Sequence, residues 1–199
     1  MIKSLLNHPK VFDFFQNLVG RKNFLADYVQ HRIRPVEGMR ILDIGCGTAD
    51  VLALMQGVDY VGFDVSKPYI EAARKHYGPK GSFHAEQLTE EHLKSLGRFD
   101  VVTFNGVLHH LNDGLAESLL GLAKAALKAE GRMVSIDPCL YQGQSWASAY
   151  LVKRDRGQFV RPREDYLKLV ARYFAQVDSK LLEHPLRIPY SLLILEAKN

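Results

Sequence analysis

Two acids and two glycines carry the first chemical signal in this chain of 199 residues. The run Ile41-Leu42-Asp43-Ile44-Gly45-Cys46-Gly47-Thr48-Ala49 reads as an apolar strand that ends in a tight glycine turn and opens a helix. Glycine lets a ligand approach the backbone closely, and a helix start offers free N–H groups and positive potential. Val61-Gly62-Phe63-Asp64 closes a second apolar strand, with Asp64 21 residues after Asp43. An acid at that spacing is placed to take both hydroxyls of a ribose. As plain structural residues, the two acids would only cap the turn and finish the strand.

Two cofactor classes combine a glycine turn with a ribose acid. The dinucleotide fingerprint asks for glycines at its first, third and sixth positions. Counted from Gly45, the sixth position is Asp50, whose carboxylate would repel a pyrophosphate. S-adenosylmethionine has no phosphate and carries an ammonium and a sulfonium, so acids around the turn favour it. Charge therefore points to the methyl donor. An NAD-dependent oxidoreductase and a non-catalytic S-adenosylmethionine-binding scaffold are the competing readings.

With these residues in place, the chain resembles the class I S-adenosylmethionine-dependent methyltransferases of the methyltransferase type 11 group, over residues 38–140 and more loosely to the C-terminus. Leu42-Asp43-Ile44-Gly45-Cys46-Gly47-Thr48 is similar to that family's first motif, with Ala49 where a third glycine is usual. Phe99-Asp100-Val101-Val102 followed by Asn105-Gly106-Val107-Leu108-His109-His110-Leu111 resembles its fourth motif. Leu127-Lys128-Ala129-Glu130-Gly131-Arg132-Met133 resembles the turn before its fifth strand. The resemblance implies that Asp43 and the Gly45, Cys46 and Gly47 backbone hold the amino-acid end of the donor. It further implies that Asp64 takes the ribose, Val65 flanks the adenine, Glu86 meets the adenine amine and Asn105 faces the methionine part. Phe15 and Gln16 would close over the donor from the N-terminal helix.

Methyl transfer is an in-line displacement, for which the protein supplies binding, alignment and exclusion of water. A general base matters when the acceptor holds its proton near neutral pH, as an alcohol or phenol does. His110, His109, Asp137 and Tyr141 follow strands four and five at the carboxyl edge and are the candidates. Either histidine fits structural bracing as well as proton transfer or acceptor binding. The Asn/Asp-Pro-Pro-aromatic motif of many exocyclic-amine nucleic-acid methyltransferases is replaced by Asn105-Gly106-Val107-Leu108. A small-molecule acceptor, O- or N-methylated, is the expectation, and no nucleic-acid partner is. Lys153, Arg154, Arg156, Arg161 and Arg163 cluster between strands five and six; one of them meeting a phosphate or carboxylate of the acceptor is a further expectation.

The elements that must position these residues alternate. Strands are expected at Met39–Ile44, Tyr60–Asp64, Ser82–Ala85, Phe99–Phe104 and Arg132–Asp137. Helices are expected at residues 9–34, Ala49–Gln56, Lys67–Tyr77 (after Ser66, stopped by Gly78), Thr89–Ser95 and Asp113–Ala129 (stopped by Gly131). Apolar strands separated by helices predict an α/β fold: one doubly wound, seven-stranded, mostly parallel Rossmann-like sheet. Val177–Leu182 and Ser191–Ala197 are joined too briefly for a helical crossover and should pair antiparallel. One domain over 1–199 follows, with a helical cap (1–38), a donor-binding core (39–140) and a substrate-side segment with the closing strands (141–199). Hydrophobic residues are 47% and charged residues 24%, at a net charge of +4, a balance without the long basic runs of a dedicated nucleic-acid binder. No apolar run nears the roughly 20 residues of a membrane span. Cys46 and Cys139 match no metal spacing and read as free thiols of a cytoplasmic protein. The oligomeric state is not readable.

Overall fold

The computed structural model describes residues 21–199, with side chains from Asn23 onward. Phe15 and Gln16 lie outside the described residues. Helix α1 (Arg21–Tyr28) widens into a π turn at Val29–Ile33 and stops at Arg34, whose φ of 50° is left-handed. Strand β1 (Arg40–Ile44), β2 (Asp59–Phe63), β3 (Gly81–His84) and β4 (Phe99–Asn105) are interleaved with α2 (Lys67–Tyr77) and α3 (Glu90–Leu96). Helix α4 (Asp113–Ala126) leads into β5 (Leu127–Pro138). Then follow α5 (Trp146–Lys153), α6 (Arg163–Ala171), β6 (Gln176–Leu182) and β7 (Leu192–Lys198).

The seven strands form one sheet in the order β3-β2-β1-β4-β5-β7-β6. Strands β1 to β5 pair in parallel, and β7 runs antiparallel to both β5 and β6. This is the doubly wound sheet with an antiparallel closing hairpin that the alternation predicts. Its central strands read as near-continuous apolar runs because both faces are covered. On one face Leu42, Val102 and Phe104 pack with Leu120 and Ala123 of α4 and Val170 of α6. On the other, Ile41, Val101 and Val134 pack with Tyr28 and Val29 and with Ile70 and Ala73 of α2. The chain order reverses between β1 and β4, and ligands of such sheets bind in the crevice that opens at that switch point.

Several boundaries differ from those expected. The segment after the first glycine turn makes only a five-residue 3-10 turn, Asp50–Leu54, entered through Ala49 at φ 58°. A full helix N-terminus therefore does not follow the glycines. Gly78 is right-handed helical and carries α2 into a short 3-10 turn at Gly78–Lys80. Helix α4 ends three residues early because Leu127 already pairs with Phe99, so Gly131 lies inside β5. Thr89 does cap α3, with a reciprocal bond to His92 in the capping position. Asn112 caps α4 by accepting from Leu115 N at 2.9 Å.

Candidate active site

The switch-point crevice is built from the ends of β1, β2 and β4. Gly45 leaves β1 with φ 74°, and a Cβ there would come within 2.6 Å of Val107. Only glycine fits this turn, which brings the backbone of β1 against the turn after β4. Gly47, at φ 55°, has no atom within 4 Å of where its Cβ would lie, so its outer side is open for a ligand. Gly47 N donates to Asp64 Oδ2 at 2.9 Å, and Ser66 N donates to Asp64 Oδ1 at 2.8 Å. Asp64 thus ties the end of β2 to the glycine turn. A carboxylate has about four acceptor sites, leaving room for further donors. Val65 beside it is 72% exposed.

Asp43 lies beneath the turn and is fully buried. It accepts from Tyr60 OH (2.7 Å), Thr103 Oγ1 (2.8 Å) and Asn105 Nδ2 (3.1 Å). Burial raises its carboxyl to about 6 against the pull of these donors. Its part is to floor the site and supply negative charge from below, instead of reaching into the open. Tyr28 OH donates to Asn105 Oδ1 at 2.8 Å, closing the chain Tyr28–Asn105–Asp43. Sequence reasoning misses Tyr28, because no local pattern announces a contact across 77 positions. The end of α1 is held for this contact by Arg132, which donates to Ile33 O, while Arg34 pairs with Glu196 at 2.5 Å.

Cys46 is buried against Gly62, where a Cβ would lie 2.7 Å from the thiol sulfur. Burial first, then Asp43 and Asp64, push its thiol far above the ordinary range, and burial pushes Cys139 up to about 12. Both are free thiols with packing roles. Glu86 is exposed and lies 3.5 Å from His92 and 3.9 Å from His84, which stacks on Phe63.

The two histidines after β4 have different surroundings. His109 is buried, and Asp137 Oδ1 lies 2.8 Å from its Nδ1 while Asp155 Oδ1 lies 3.1 Å from its Nε2. Burial alone would lower its pKa, but the two carboxylates raise it to about 9. A carboxylate oxygen at each ring nitrogen favours the charged imidazolium over a ring with a free lone pair. Asp137, fully buried, also accepts from His109 N at 3.1 Å; its oxygen Oδ2 is buried without a partner among the described residues. Tyr190 OH donates to Asp155 Oδ2 at 2.5 Å, and Phe159 N donates to His109 O at 2.9 Å. Gly157 sits so close that a Cβ would overlap the His109 ring. The segment after α5 is thereby clasped onto the turn after β4.

His110 is exposed, its ring 4.0 Å from that of His109. Partial shielding of the ring and the neighbouring His109 lower its pKa, which favours the neutral form. Tyr141 makes a poor base, because burial and Glu183 raise its hydroxyl. Of the five clustered cations, Arg161 is buried and donates to Leu108 O (2.8 Å), Leu111 O (2.7 Å) and Asp113 (2.7 Å). It braces the clasp and is not free to hold an acceptor. Arg163 donates to Ser179 Oγ at 3.0 Å.

Comparison with known proteins agrees with this geometry. Residues 18–177 match the family described as "Methyltransferase domain". A tRNA U34 carboxymethyltransferase of Pseudoalteromonas translucida is 32% identical over 141 residues, 68% of this chain and 42% of that protein. A ubiquinone biosynthesis O-methyltransferase of Cereibacter sphaeroides is 34% identical over 147 residues, 66% of this chain and 58% of that protein. The chain thus spans about half the length of these curated relatives. Among solved structures, a SAM-dependent methyltransferase from Archaeoglobus fulgidus superposes with a TM-score of 0.69 at 20% identity, covering 94% of this chain and 99% of the other. No described helix is long and apolar enough to cross a membrane. The chain belongs to the methyltransferase-domain family, and its sheet has the fold of a class I S-adenosylmethionine-dependent methyltransferase.

Proposed function

We propose that this chain transfers a methyl group from S-adenosylmethionine to an oxygen or nitrogen of a small-molecule acceptor. The observation that carries the reading is the bond from Gly47 N to Asp64 Oδ2 at 2.9 Å, which fuses an open glycine turn to a carboxylate. This edge suits a cationic nucleoside and repels a pyrophosphate. The donor, when bound, supplies an activated methyl on a positively charged sulfur. Asp64 would hold the ribose, Val65 and Glu86 the adenine side, and Gly45, Cys46 and Gly47 the amino-acid end over Asp43. Asn105, fixed by Tyr28 and Asp43, would orient the methionine part. His110, exposed and neutral, would take a proton from a protic acceptor. His109 with Asp137 and Asp155 would keep the wall of the site in place.

Residues 1–199 would act as one catalytic unit, capped by 1–38 and closed on the acceptor side by 141–199. Two free thiols suit the reducing cytoplasm, where the enzyme would work. The relatives' names divide between a small-molecule and a tRNA acceptor, so both belong in the test. Calorimetry with S-adenosylhomocysteine should show binding and NADH none. Labelled-methyl transfer should then be assayed against phenolic and hydroxylated small molecules and against tRNA. Transfer to one or more of the small molecules is expected. NADH binding without S-adenosylhomocysteine binding would overturn the donor assignment, and transfer to tRNA alone would overturn the acceptor class.

A further inference from the structure

Helix α5 turns Ser148 and Val152 inward and its two large aromatics outward. Ser148 is fully buried and accepts from Gln144 Nε2 at 2.9 Å, whereas Trp146 is 84% and Tyr150 53% exposed. Trp146, Tyr150 and the exposed Lys153 and Arg154 recur at helical spacing and make one stripe along the outer face. No aspartate or glutamate occurs between Tyr141 and Arg154. Val152 anchors the inner face, but a serine shares that face while the two large rings lie outside, against the usual amphipathic pattern. Such violations mark surfaces that meet something else.

We propose that this face of α5 docks on the surface of an anionic lipid bilayer, with Trp146 and Tyr150 entering the headgroup boundary and Lys153 and Arg154 meeting lipid phosphates. Indole and phenol rings partition to that boundary because one edge is apolar and the other polar. Each cation near an anionic leaflet adds about 1 kcal/mol of attraction. The absence of acids along the helix matches such a partner. Single-stranded nucleic acid would need aromatic faces free for base stacking. The Tyr150 ring is already covered on one face by the Arg154 guanidinium, 5.1 Å from its centroid. The clasp through Asp155 fixes the C-terminal side of α5 to the body of the protein, so the helix presents its stripe as a rigid edge.

The chain has a single tryptophan, so its fluorescence reports on this face alone. The test needs neither donor nor acceptor, so it can fail without touching the methyltransferase assignment. The full chain is mixed with phosphatidylcholine vesicles, with vesicles also containing phosphatidylglycerol, and with tRNA. Expected are a blue shift of Trp146 emission, protection from acrylamide and co-flotation, all with the anionic vesicles and weakened by salt. Lys153→Gln and Arg154→Gln should each weaken vesicle binding roughly fivefold. Trp146→Ser with Tyr150→Ser should abolish flotation while leaving S-adenosylhomocysteine binding and thermal stability unchanged. The proposal is overturned if anionic vesicles leave the emission unshifted, if the serine double variant still floats, or if tRNA alone protects the tryptophan. A blue shift that depends on protein concentration without lipid would overturn it in favour of self-association.

Discussion

Asp137 grips His109 twice: one carboxylate oxygen, Oδ1, lies 3.1 Å from the backbone N–H and 2.8 Å from Nδ1 of the ring. The same ring meets Asp155 at its other nitrogen, 3.1 Å away. Placing a carboxylate oxygen at each nitrogen of a buried ring favours the charged imidazolium. The arrangement joins the ends of β4 and β5 to the segment after α5.

That link makes stability depend on pH. The His109 pKa is raised to about 9 in the fold, against about 6.5 in an unfolded chain. The folded state binds the extra proton, so its contribution is fully present below pH 6.5 and is lost as pH rises through 9. The loss is on the order of 3 kcal/mol. Thermal or urea unfolding from pH 6 to 9.5 should show the decline. His109→Gln should flatten it and lower stability at pH 7 by about 3–5 kcal/mol, since Asp137 and Asp155 would face each other uncompensated. A wild-type curve that stays level across this window would refute the charged clasp.

Gly157 gives a second, steric handle on the same clasp. A Cβ there would overlap the His109 ring, and rigid ring and backbone atoms cannot retreat as a flexible side chain would. Gly157→Ala should therefore displace the segment around Asp155, lower the unfolding temperature and raise proteolytic cleavage near residues 154–160. The hydrogen bonds of Asp43 and Asp64 run to other segments, so S-adenosylhomocysteine affinity should change less than stability does. Equal stability of variant and wild type would show that the segment does not press on His109.

The sheet is legible in the sequence because apolar strands and helices alternate with a period that few other folds share. The ends of elements are less so: Leu127 reads as the tail of a helix, yet pairing with Phe99 draws it into β5. The first glycine turn is legible because Gly45, Gly47 and Asp64 are bound to local backbone geometry. Ala49 shows the limit, for it adopts the left-handed conformation that glycine usually fills and then opens only a short 3-10 turn. Tyr28, Asp155, Gly157 and Tyr190 leave no local trace, because their contacts bridge distant stretches of chain. The histidine pair was visible, but which ring is buried depends on those distant partners.

Asp43 supplies a prediction for the donor side. Its folded pKa is about 6, above the roughly 3.9 of an unfolded aspartate. The folded state then holds a proton that the unfolded chain has lost, so the stability it contributes falls as pH rises from about 4 to about 6. Subtracting the unfolding curve of Asp43→Asn from that of the wild type should isolate this fall. Donor binding should run the other way, because the ionised carboxylate attracts the donor's cations. S-adenosylmethionine affinity should weaken as pH drops through 6, and Asp43→Asn should remove most of that dependence. A pH-independent affinity between 5 and 8 would show that Asp43 does not act on the donor through its charge.

The remaining question is which group moves the acceptor's proton. His110 keeps a largely exposed imidazole whose pKa lies below its usual value, partial shielding of the ring being the main cause and His109 the next. If it is the base, turnover should rise with pH through a midpoint below the usual value for histidine, about 6.5. His109, were it the base despite its two carboxylates, would place that midpoint near 9 instead. With an acceptor from the small-molecule panel, His110→Gln should lower turnover by about 10²- to 10⁴-fold and leave S-adenosylhomocysteine affinity as it was. Stability should hardly change, because the ring is exposed and has no side-chain hydrogen bond among the described residues. The split between turnover and binding is what a merely bracing residue would not give, since bracing moves stability and donor affinity together. If His110→Gln turns over normally, the proton must go elsewhere. Asp137 then becomes the next candidate, because its Oδ2 is a buried carboxylate oxygen without a partner among the described residues. Asp137→Asn would then abolish turnover while keeping the size and position of the side chain.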